Sequence, residues 1–498
     1  LFFGGQSPTT SADHRASIIE CASLAATAIK IEIHSRVRLS VHYSWLPMPM
    51  KNNPQQKPIA KNSARNIVIL LIAAIVGAGA MTFVVAQSAN PVNRNSLPAN
   101  KSNPTAPTGS TTTSTTSPTS TSSDVAQSSP NTLTPTVPGS QNSAGSSVVD
   151  TDISKILDAA VKKQSMPGMA AAVILNGKIL GVGQSGVRKR DMPDPILRDD
   201  PFHLGTCTKA LTATMIGVLV DEGKLKWDST IGELIGREIS GITPDYASVT
   251  IDQLLHHRGG LSPHGPTEVW EAAKHAKGPA AQQRRVYVEA VLMQAAQAPV
   301  GKYVYSNAGY AVLGYIAETI TNTPYEKLMQ EKVFTPLGLT SAGFGNAGSA
   351  QQLTAPYPHI QTGLPNFVDS PAAITAAGRI HMNMTDWAKF CLMHLGHQPT
   401  PPLLKPETLE HLHELAGEVP ADGFGYAGGW MRPNRDWAGG RTLYHVGTNT
   451  FNYCVAWLSP LKDCGVLVAC NQGGKKAQAA VDQAASDLIA RFMPAAQK

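Results

Sequence analysis

Three short stretches of this chain combine residue types that could carry covalent acyl chemistry. His203-Leu204-Gly205-Thr206-Cys207-Thr208-Lys209 places a hydroxyl three residues before a lysine. If this stretch opens a helix, positions i and i+3 share a face, so the Lys209 amine can reach the Thr206 oxygen. A helix N-terminus would add backbone N–H groups and partial positive charge, both of which favour an oxyanion. Alone, Thr-x-x-Lys is equally the pattern of a helix cap and a surface lysine. Two further stretches give it company: Tyr305-x-Asn307 ahead of a helical run, and the cation-capable His445 two residues before Gly447 at a strand. Cys207 offers a thiol as an alternative nucleophile. One residue on from Thr206 it is rotated about 100° around the helix, which points it into the packing as a small buried hydrophobe.

These residues need a scaffold, and the patterning from about 149 to 498 supplies one. Ile153, Ile156, Leu157, Ala160 and Val161 recur at helical spacing and mark one face of an opening helix, which Pro167-Gly168 stops. AAAVILNGKILGVGQSG reads as two strands joined by Asn176-Gly177, a strong hairpin signal. A helix is predicted from about Cys207 to Glu222, with Gly223 in the C′ role. Thr250 with Gln253, and Thr323-Pro324 with Glu326, read as capping boxes that start further helices. FNYCVAWLSPLKDCGVLVACNQ is strand, turn, strand, and Ala477 to Phe492 a closing helix. Strands at both ends with helices between them predict an α+β fold: one antiparallel sheet built from both termini and flanked by helices, with a mainly helical second lobe.

Composition divides the chain. Up to Val148 there are 10 lysines and arginines against 4 acids; from Val149 onward the counts are 31 and 31. The basic excess is therefore N-terminal, and charge gives no support to a nucleic-acid-binding face on the C-terminal part. Residues 67–86 form an uncharged apolar run of 20 residues. As a helix this is about 30 Å long, the thickness of a bilayer core. Lys51, Lys57, Lys61 and Arg65 precede it and no basic residue follows until Arg94, which predicts a cytoplasmic N-terminus and an extracytoplasmic C-terminal part. The run is expected to be an uncleaved single-pass membrane anchor, with a cleaved signal as the alternative, since Val84 and Ala86 suit the −3 and −1 sites of a signal peptidase. Residues 50–66 read as a basic cytoplasmic segment. Met50 looks like a natural start, and residues 1–49, without periodicity, read as a non-native or unstructured leader. Residues 87–148 are expected to be a disordered linker: from Thr105 to Ser122, 16 of 18 residues are Ser, Thr or Pro.

The six cysteines, at 21, 207, 391, 454, 464 and 470, show no metal-ligand spacing, so no structural zinc is expected. Glycine clusters lack the strand–GxGxxG–helix context of a dinucleotide site, and no cofactor is expected. Cys454 and Cys470, on the two final strands, could face each other across the hairpin as a disulfide; burial as free thiols is the alternative. His256 and His257 are expected to hydrogen-bond a loop rather than ligate.

In their order, Thr206-x-x-Lys209, Tyr305-x-Asn307 and His445-x-Gly447 resemble the three motifs of the class C β-lactamase-like serine hydrolases. That family includes penicillin-binding DD-peptidases and esterases, and its motifs are Ser-x-x-Lys, Tyr-x-Asn and Lys-Thr-Gly or His-x-Gly. Leu254-Leu255-His256-His257-Arg258-Gly259-Gly260-Leu261, Pro336-Leu337-Gly338-Leu339 and Asn471-Gln472-Gly473-Gly474 extend the likeness over about 149–498. The resemblance implies a β-lactamase/transpeptidase-like fold and a role for each matching residue. Thr206 takes the nucleophile position, Lys209 is a neutralised or proton-accepting amine, and Tyr305 shuttles the proton. Asn307 orients substrate and Lys209, His445 lines the pocket, and the N–H groups of Thr206 and Thr448 form an oxyanion hole beside Gly447. Lys209 and Tyr305 are both expected to have lowered pKa values through proximity and burial.

Two departures from the family pattern shape the functional expectation. Threonine stands where the family has serine, and its β-methyl crowds the attacked carbonyl. Histidine stands where β-lactamases have the lysine that attracts a substrate carboxylate. The expected function is an extracytoplasmic acyl hydrolase acting on an ester, peptide (peptidoglycan-like) or β-lactam bond through an acyl-enzyme on Thr206. The alternative is a catalytically impaired binding protein of the cell envelope on the same fold.

Overall fold

The computed structural model describes residues 152–417 and 424–493, all within the unit Pro91–Lys498. The expected leader, anchor run 67–86 and linker 87–148 lie outside the described residues. Among the described residues no helix is long and apolar enough to cross a membrane.

The sheet is built from both ends of the described chain, as its patterning predicts. Strands β1 (Gly168–Leu175) and β2 (Lys178–Gly186) form a hairpin whose turn residues Asn176 and Gly177 have φ of 51° and 70°. Both must be left-handed to match the strand twist, which is why Asn-Gly marks the place. The C-terminal strands β8 (Leu443–Thr448), β9 (Tyr453–Ser459) and β10 (Cys464–Cys470) complete an antiparallel sheet of order β2-β1-β10-β9-β8. The first and last parts of the fold meet at the β1–β10 ladder, where Ala172 faces Leu467. Two short strands, β3 (Phe202–His203) and β4 (Gly343–Phe344), flank β5 (Ile380–Met382) in a second sheet; β6 (Asn434–Arg435) and β7 (Gly440–Arg441) form a ribbon.

Both faces of the main sheet are covered, so its strands read as nearly continuous apolar runs. Met169, Ala171 and Val173 pack against helix α1 (Ser154–Gln164) and the C-terminal helix α4 (Lys475–Phe492), with Leu157, Val161, Val481 and Leu488 between them. Ala170, Ala172 and Ile174 face the other way, into the larger core shared with helix α2 (Thr208–Asp221) and helix α3 (Asn307–Thr321). The same alternation decides the cysteines. Cys454 lies in the larger core and Cys470 in the terminal-helix core, on opposite faces of the sheet, and all five described cysteines are free and buried. Of the two alternatives for Cys454 and Cys470, the free buried thiols hold and the disulfide does not: neighbouring strands bring Cys454 opposite Ala469, not Cys470.

One capping expectation holds and one does not. Thr250 and Gln253 make both bonds of a capping box before the helix Ile251–Leu255. Before the helix Tyr325–Met329, Pro324 is the N-cap and no side chain caps it. Glu326 instead pairs with the fully buried Arg284 at 2.5 Å, because a buried guanidinium without carboxylate partners costs far more than an unfilled cap.

The two halves of the fold meet most closely between β8 and the segment that opens α2. A Cβ added to Gly447 would lie 2.0 Å from the Leu204 carbonyl oxygen and 2.5 Å from Cys454 Sγ. No rearrangement of a flexible side chain relieves the first contact. Gly447→Ala is therefore expected to lower stability by about 1–3 kcal/mol or more, as overpacked cores do, with urea unfolding as the measurement.

Candidate active site

Thr206 sits on a 3₁₀ turn, Gly205–Cys207, that links β3 to α2. Pairing of β3 with β5 fixes where the turn begins, since the Leu204 N–H donates to Ile380 O at 2.9 Å. Gly205 then turns the chain with φ +48°, and a Cβ there would lie 2.4 Å from the Thr448 backbone nitrogen. The turn is thus pressed against the end of β8 with no side chain between them. Thr208 locks it from behind: its hydroxyl donates to Gly205 O at 2.7 Å and accepts from the Ile380 N–H at 3.1 Å. Thr206 itself is only partly buried. Its hydroxyl donates to Val446 O at 2.9 Å, and the Lys209 amine, which helical spacing alone predicts as its partner, bonds Asn307 and Ala377 instead.

Lys209, on the first turn of α2, is fully buried. Its Nζ donates to Asn307 Oδ1 at 2.6 Å and to Ala377 O at 2.8 Å, and lies 4.8 Å and 5.4 Å from the ring centroids of Tyr305 and Tyr310. Among the described residues no carboxylate pairs with it, and burial pushes its pKa well below that of an ordinary lysine against an opposing effect from Cys207. The rings favour the ammonium; desolvation favours the neutral amine and wins.

Tyr305 and Asn307 come from the loop that starts α3. Ser306 is its N-cap, accepting from the Gly309 N–H at 3.0 Å and donating its hydroxyl to Ser262 O at 2.7 Å. His257, with φ +57°, holds the loop from the other side: its backbone carbonyl accepts from the Val304 N–H and its Nδ1 from the Ser306 N–H at 3.1 Å. His256 bonds Asp252 O of its own helix at 2.8 Å and, on the loop side, Glu414 O at 3.3 Å, so both histidines hydrogen-bond loops as expected. Tyr305 departs from expectation. Burial raises its pKa well above the ordinary phenol value, while a Thr206 hydrogen bond lowers it only in part. Proximity to Lys209 and burial were expected to lower it, but burial disfavours the phenolate, and the neighbouring amine is itself driven toward neutrality, so the phenol keeps its proton.

His445 is also buried, at 1% exposure. Its Nδ1–H donates to Val446 O at 2.7 Å, leaving Nε2 to accept from the Tyr426 hydroxyl at 3.2 Å. Burial first, and the cost of adding a positive charge beside any charge on Lys209, push its pKa down to about 3. The imidazole is therefore a neutral wall of the site and not an anion receptor. Cys207 points away from Thr206 into the core, 3.7 Å from Cys454 Sγ, and burial raises its thiol pKa; the structure gives it no part in attack.

Four residues of the site were not singled out from sequence. Tyr426 partners His445, and its glycine-rich surroundings were the available signal: Gly429, at φ +83°, lets the loop approach Ala210 of α2. His264 Nδ1 lies 3.5 Å from Asn307 Nδ2, and burial pushes its pKa down to about 4. His203 lies within the first motif, and Asp369 faces it at 3.2 Å; nothing in spacing joins those two. Among the described residues no group of His, Cys, Asp or Glu could hold a metal ion.

A family model described as beta-lactamase matches residues 153–491. Among curated proteins, the chain is 25% identical to unguisins hydrolase ungD' of Aspergillus campestris over half of this chain and 48% of that protein. It is 28% identical to penicillin-binding protein 4 of Amycolatopsis lactamdurans over 36% of this chain and 46% of that protein. The chain thus spans about half the length of these relatives. A class C beta-lactamase from Rhodobacter sphaeroides superposes with a TM-score of 0.56 at 17% identity, covering 68% of this chain and 99% of that one. At that identity the likeness is one of fold.

Burial of neutral histidines has a measurable consequence. His445 and His413 are pushed down to about 3, His264 and His359 to about 4. Each folded-state value lies below the unfolded one of about 6.5, so the unfolded chain takes up protons first as the pH falls. Their contribution is fully present above pH 6.5 and is lost from there down to about pH 4 for His264 and His359 and about pH 3 for His445 and His413. Burial lowers His257, His381 and His394 as well. His256, raised by Asp252 against its own burial, and the buried carboxyls of Glu318 and Asp482, raised by burial, contribute with the opposite sign, three groups against seven histidines among the described residues. Unfolding free energy should fall from pH 7 to pH 4.5, and His445→Gln should flatten the slope by up to ~1.4 kcal/mol per pH unit. Equal slopes for wild type and variant in urea titrations would contradict this.

Proposed function

The chain belongs to the beta-lactamase family, and from that premise we propose that it is an acyl hydrolase working through a covalent acyl-enzyme on Thr206. The observation that carries the reading is Lys209. A buried amine without a carboxylate partner costs several kcal/mol, and a site that only binds has no use for it. A site that must take a proton from a hydroxyl needs a base that is neutral near pH 7.

The shifted acidities divide the labour. Neutral Lys209 accepts the Thr206 proton as Oγ1 attacks the substrate carbonyl. The developing oxyanion is met by the N–H groups of Thr206 and Thr448, whose backbones are held together at Gly205 and Gly447. Tyr305, still protonated, donates to the leaving group. Asn307 holds Lys209 through Oδ1 and turns its amide toward the substrate. Water then attacks the acyl-enzyme with the same groups reversed.

Substrate preference follows from His445. A neutral, buried imidazole gives no charge to a substrate carboxylate, which supports esters and peptide-like amides over penicillins and D-Ala-D-Ala peptides. The names of the relatives, a hydrolase of unguisins and a penicillin-binding protein, are compatible with peptide-like substrates. One observation favours the alternative of a binding protein without turnover: the Thr206 hydroxyl rests on Val446 O and must leave it to attack.

A fluorophosphonate probe and p-nitrophenyl esters separate the two readings. The wild type should label slowly, on Thr206, and should turn over short-chain esters faster than benzylpenicillin. Thr206→Ser removes the methyl and keeps the oxygen; relief of about 1–3 kcal/mol means roughly 10- to 100-fold faster acylation. Thr206→Ala should abolish labelling, and Cys207→Ala should leave it nearly unchanged. A folded domain inert in both wild type and Thr206→Ser would establish the binding-protein reading.

Location is part of the proposal. The apolar run 67–86 and its basic flank support an extracytoplasmic domain tethered to the cell membrane. Mild proteolysis of intact spheroplasts should then release a folded fragment beginning near residue 145, whereas a protected, cytosolic domain would overturn the topology.

A further inference from the structure

Behind the two backbone segments of the oxyanion site lies one carboxylate. Asp369, with only 8% of its side chain exposed, belongs to the loop between β4 and β5. His203 Nε2 sits 3.2 Å and 3.3 Å from its two oxygens. Asn449 Nδ2 donates to Oδ1 at 2.9 Å, the Ser370 N–H to Oδ1 at 2.7 Å, and Arg379 Nε to Oδ2 at 3.0 Å. Burial alone would raise its pKa, but these partners hold it well below the usual carboxylate range.

Two of the donors lead directly to the site. His203 Nδ1 accepts the Gly205 N–H at 3.0 Å, so the ring proton is on Nε2 and is donated to Asp369. The side chain thereby clamps the residue just before Thr206. Asn449 leads to the other segment: its Oδ1 accepts the N–H groups of Phe451 at 3.2 Å and Asn452 at 2.9 Å. Thr448 is tied into the same turn, donating its hydroxyl to Asn452 O at 2.9 Å and accepting from the Thr450 N–H at 3.0 Å. The two segments, more than 240 residues apart in the chain, touch at Gly205 and the Thr448 nitrogen, and Asp369 holds both from outside the gap.

We infer that Asp369 is a positioning residue which, through His203 and Asn449, sets the spacing of the Thr206 and Thr448 N–H groups. This rests on the hydrolase reading for its kinetic meaning. A buried ion pair serving stability alone would need only Arg379; besides the adjacent Ser370 N–H, the two side-chain donors His203 and Asn449 fall on the two segments that must be aligned for an oxyanion. The substrate's ground-state carbonyl makes weaker use of that alignment than the tetrahedral state does.

Two readouts test it. Asp369→Asn keeps the shape and loses the charge. Hydrogen exchange should quicken about 10-fold in peptides covering 203–208 and 447–452 together, with residues 157–164 unchanged; acceleration of one segment alone, or of neither, overturns the bridge. In ester hydrolysis the same variant should lose about 10- to 100-fold in kcat with KM within about 3-fold, because a transition-state contact is weakened. A raised KM at unchanged kcat overturns the inference. Should Asp369→Asn fail to fold, the His203 variants decide. His203→Asn places its amide where Nδ1 was and can still accept from Gly205; His203→Gln reaches Asp369 but not Gly205. Each variant severs the link between Asp369 and the Gly205 N–H, so a loss of about 10-fold or more in kcat is expected in both; a kcat near wild type in His203→Asn shows that Asp369 does not act through His203 and overturns the inference. A wild type without turnover fails the hydrolase reading, and the exchange experiment then still decides the bridge by itself.

Discussion

The candidate site depends on two backbones lying in contact with no side chain between them. Gly205 and Gly447 let the Thr206 turn and the end of β8 approach until a single methyl group would not fit at either position. Directed N–H groups are useful to an oxyanion only if they stay a fixed distance apart without reorganising during reaction. A backbone contact between a sheet strand and a turn anchored to β5 meets that demand better than side chains could. It also explains why the sheet is assembled from both termini. The turn follows the N-terminal hairpin and the strand belongs to the C-terminal three, so the ladder between β1 and β10 brings their supporting elements together.

Around that contact the electrostatics run against solvent intuition. Lys209, Tyr305, His257 and His445 are all shifted toward their neutral forms by burial. A site made of neutral groups keeps a base and an acid available at the same pH, where charged groups would neutralise one another. His257 shows the cost of this arrangement: its Nε2 has no hydrogen-bond partner among the described residues. The neighbouring rings of Tyr305 and Tyr426, at centroid distances of 4.3 Å and 4.4 Å, surround it instead.

Thr206 is where this chain departs most from its family's motif. Beyond restricting χ1, the extra methyl has a definite place. It lies 3.7 Å from where a Cβ of Gly378 would stand, an ordinary van der Waals distance, so the methyl is not crowded from that side. The threonine is accommodated without disturbing the turn, and the hydroxyl keeps its hydrogen bond to the strand.

Much of the fold was legible in the chain because local physics suffices for it. Asn176-Gly177 needs two left-handed residues, Thr250 and Gln253 cap one helix, and alternating small and branched residues make a sheet buried on both faces. The site motifs were legible for the same reason: Thr206 and Lys209 are close in sequence, as are Tyr305 and Asn307. What the chain alone could not decide involves partners that meet only after folding. The Glu326 carboxylate leaves the cap expected of it because Arg284 is buried nearby. Cys454 and Cys470 part company because strand register puts them on opposite faces. The protonation preference of Tyr305 depends on how dry the assembled site is, and the role of Asp369 depends on two segments far apart in sequence converging on one carboxylate. Residue types and short spacings are written in the sequence; desolvation and long-range pairing are properties of the packed molecule, and here they decide which groups are charged.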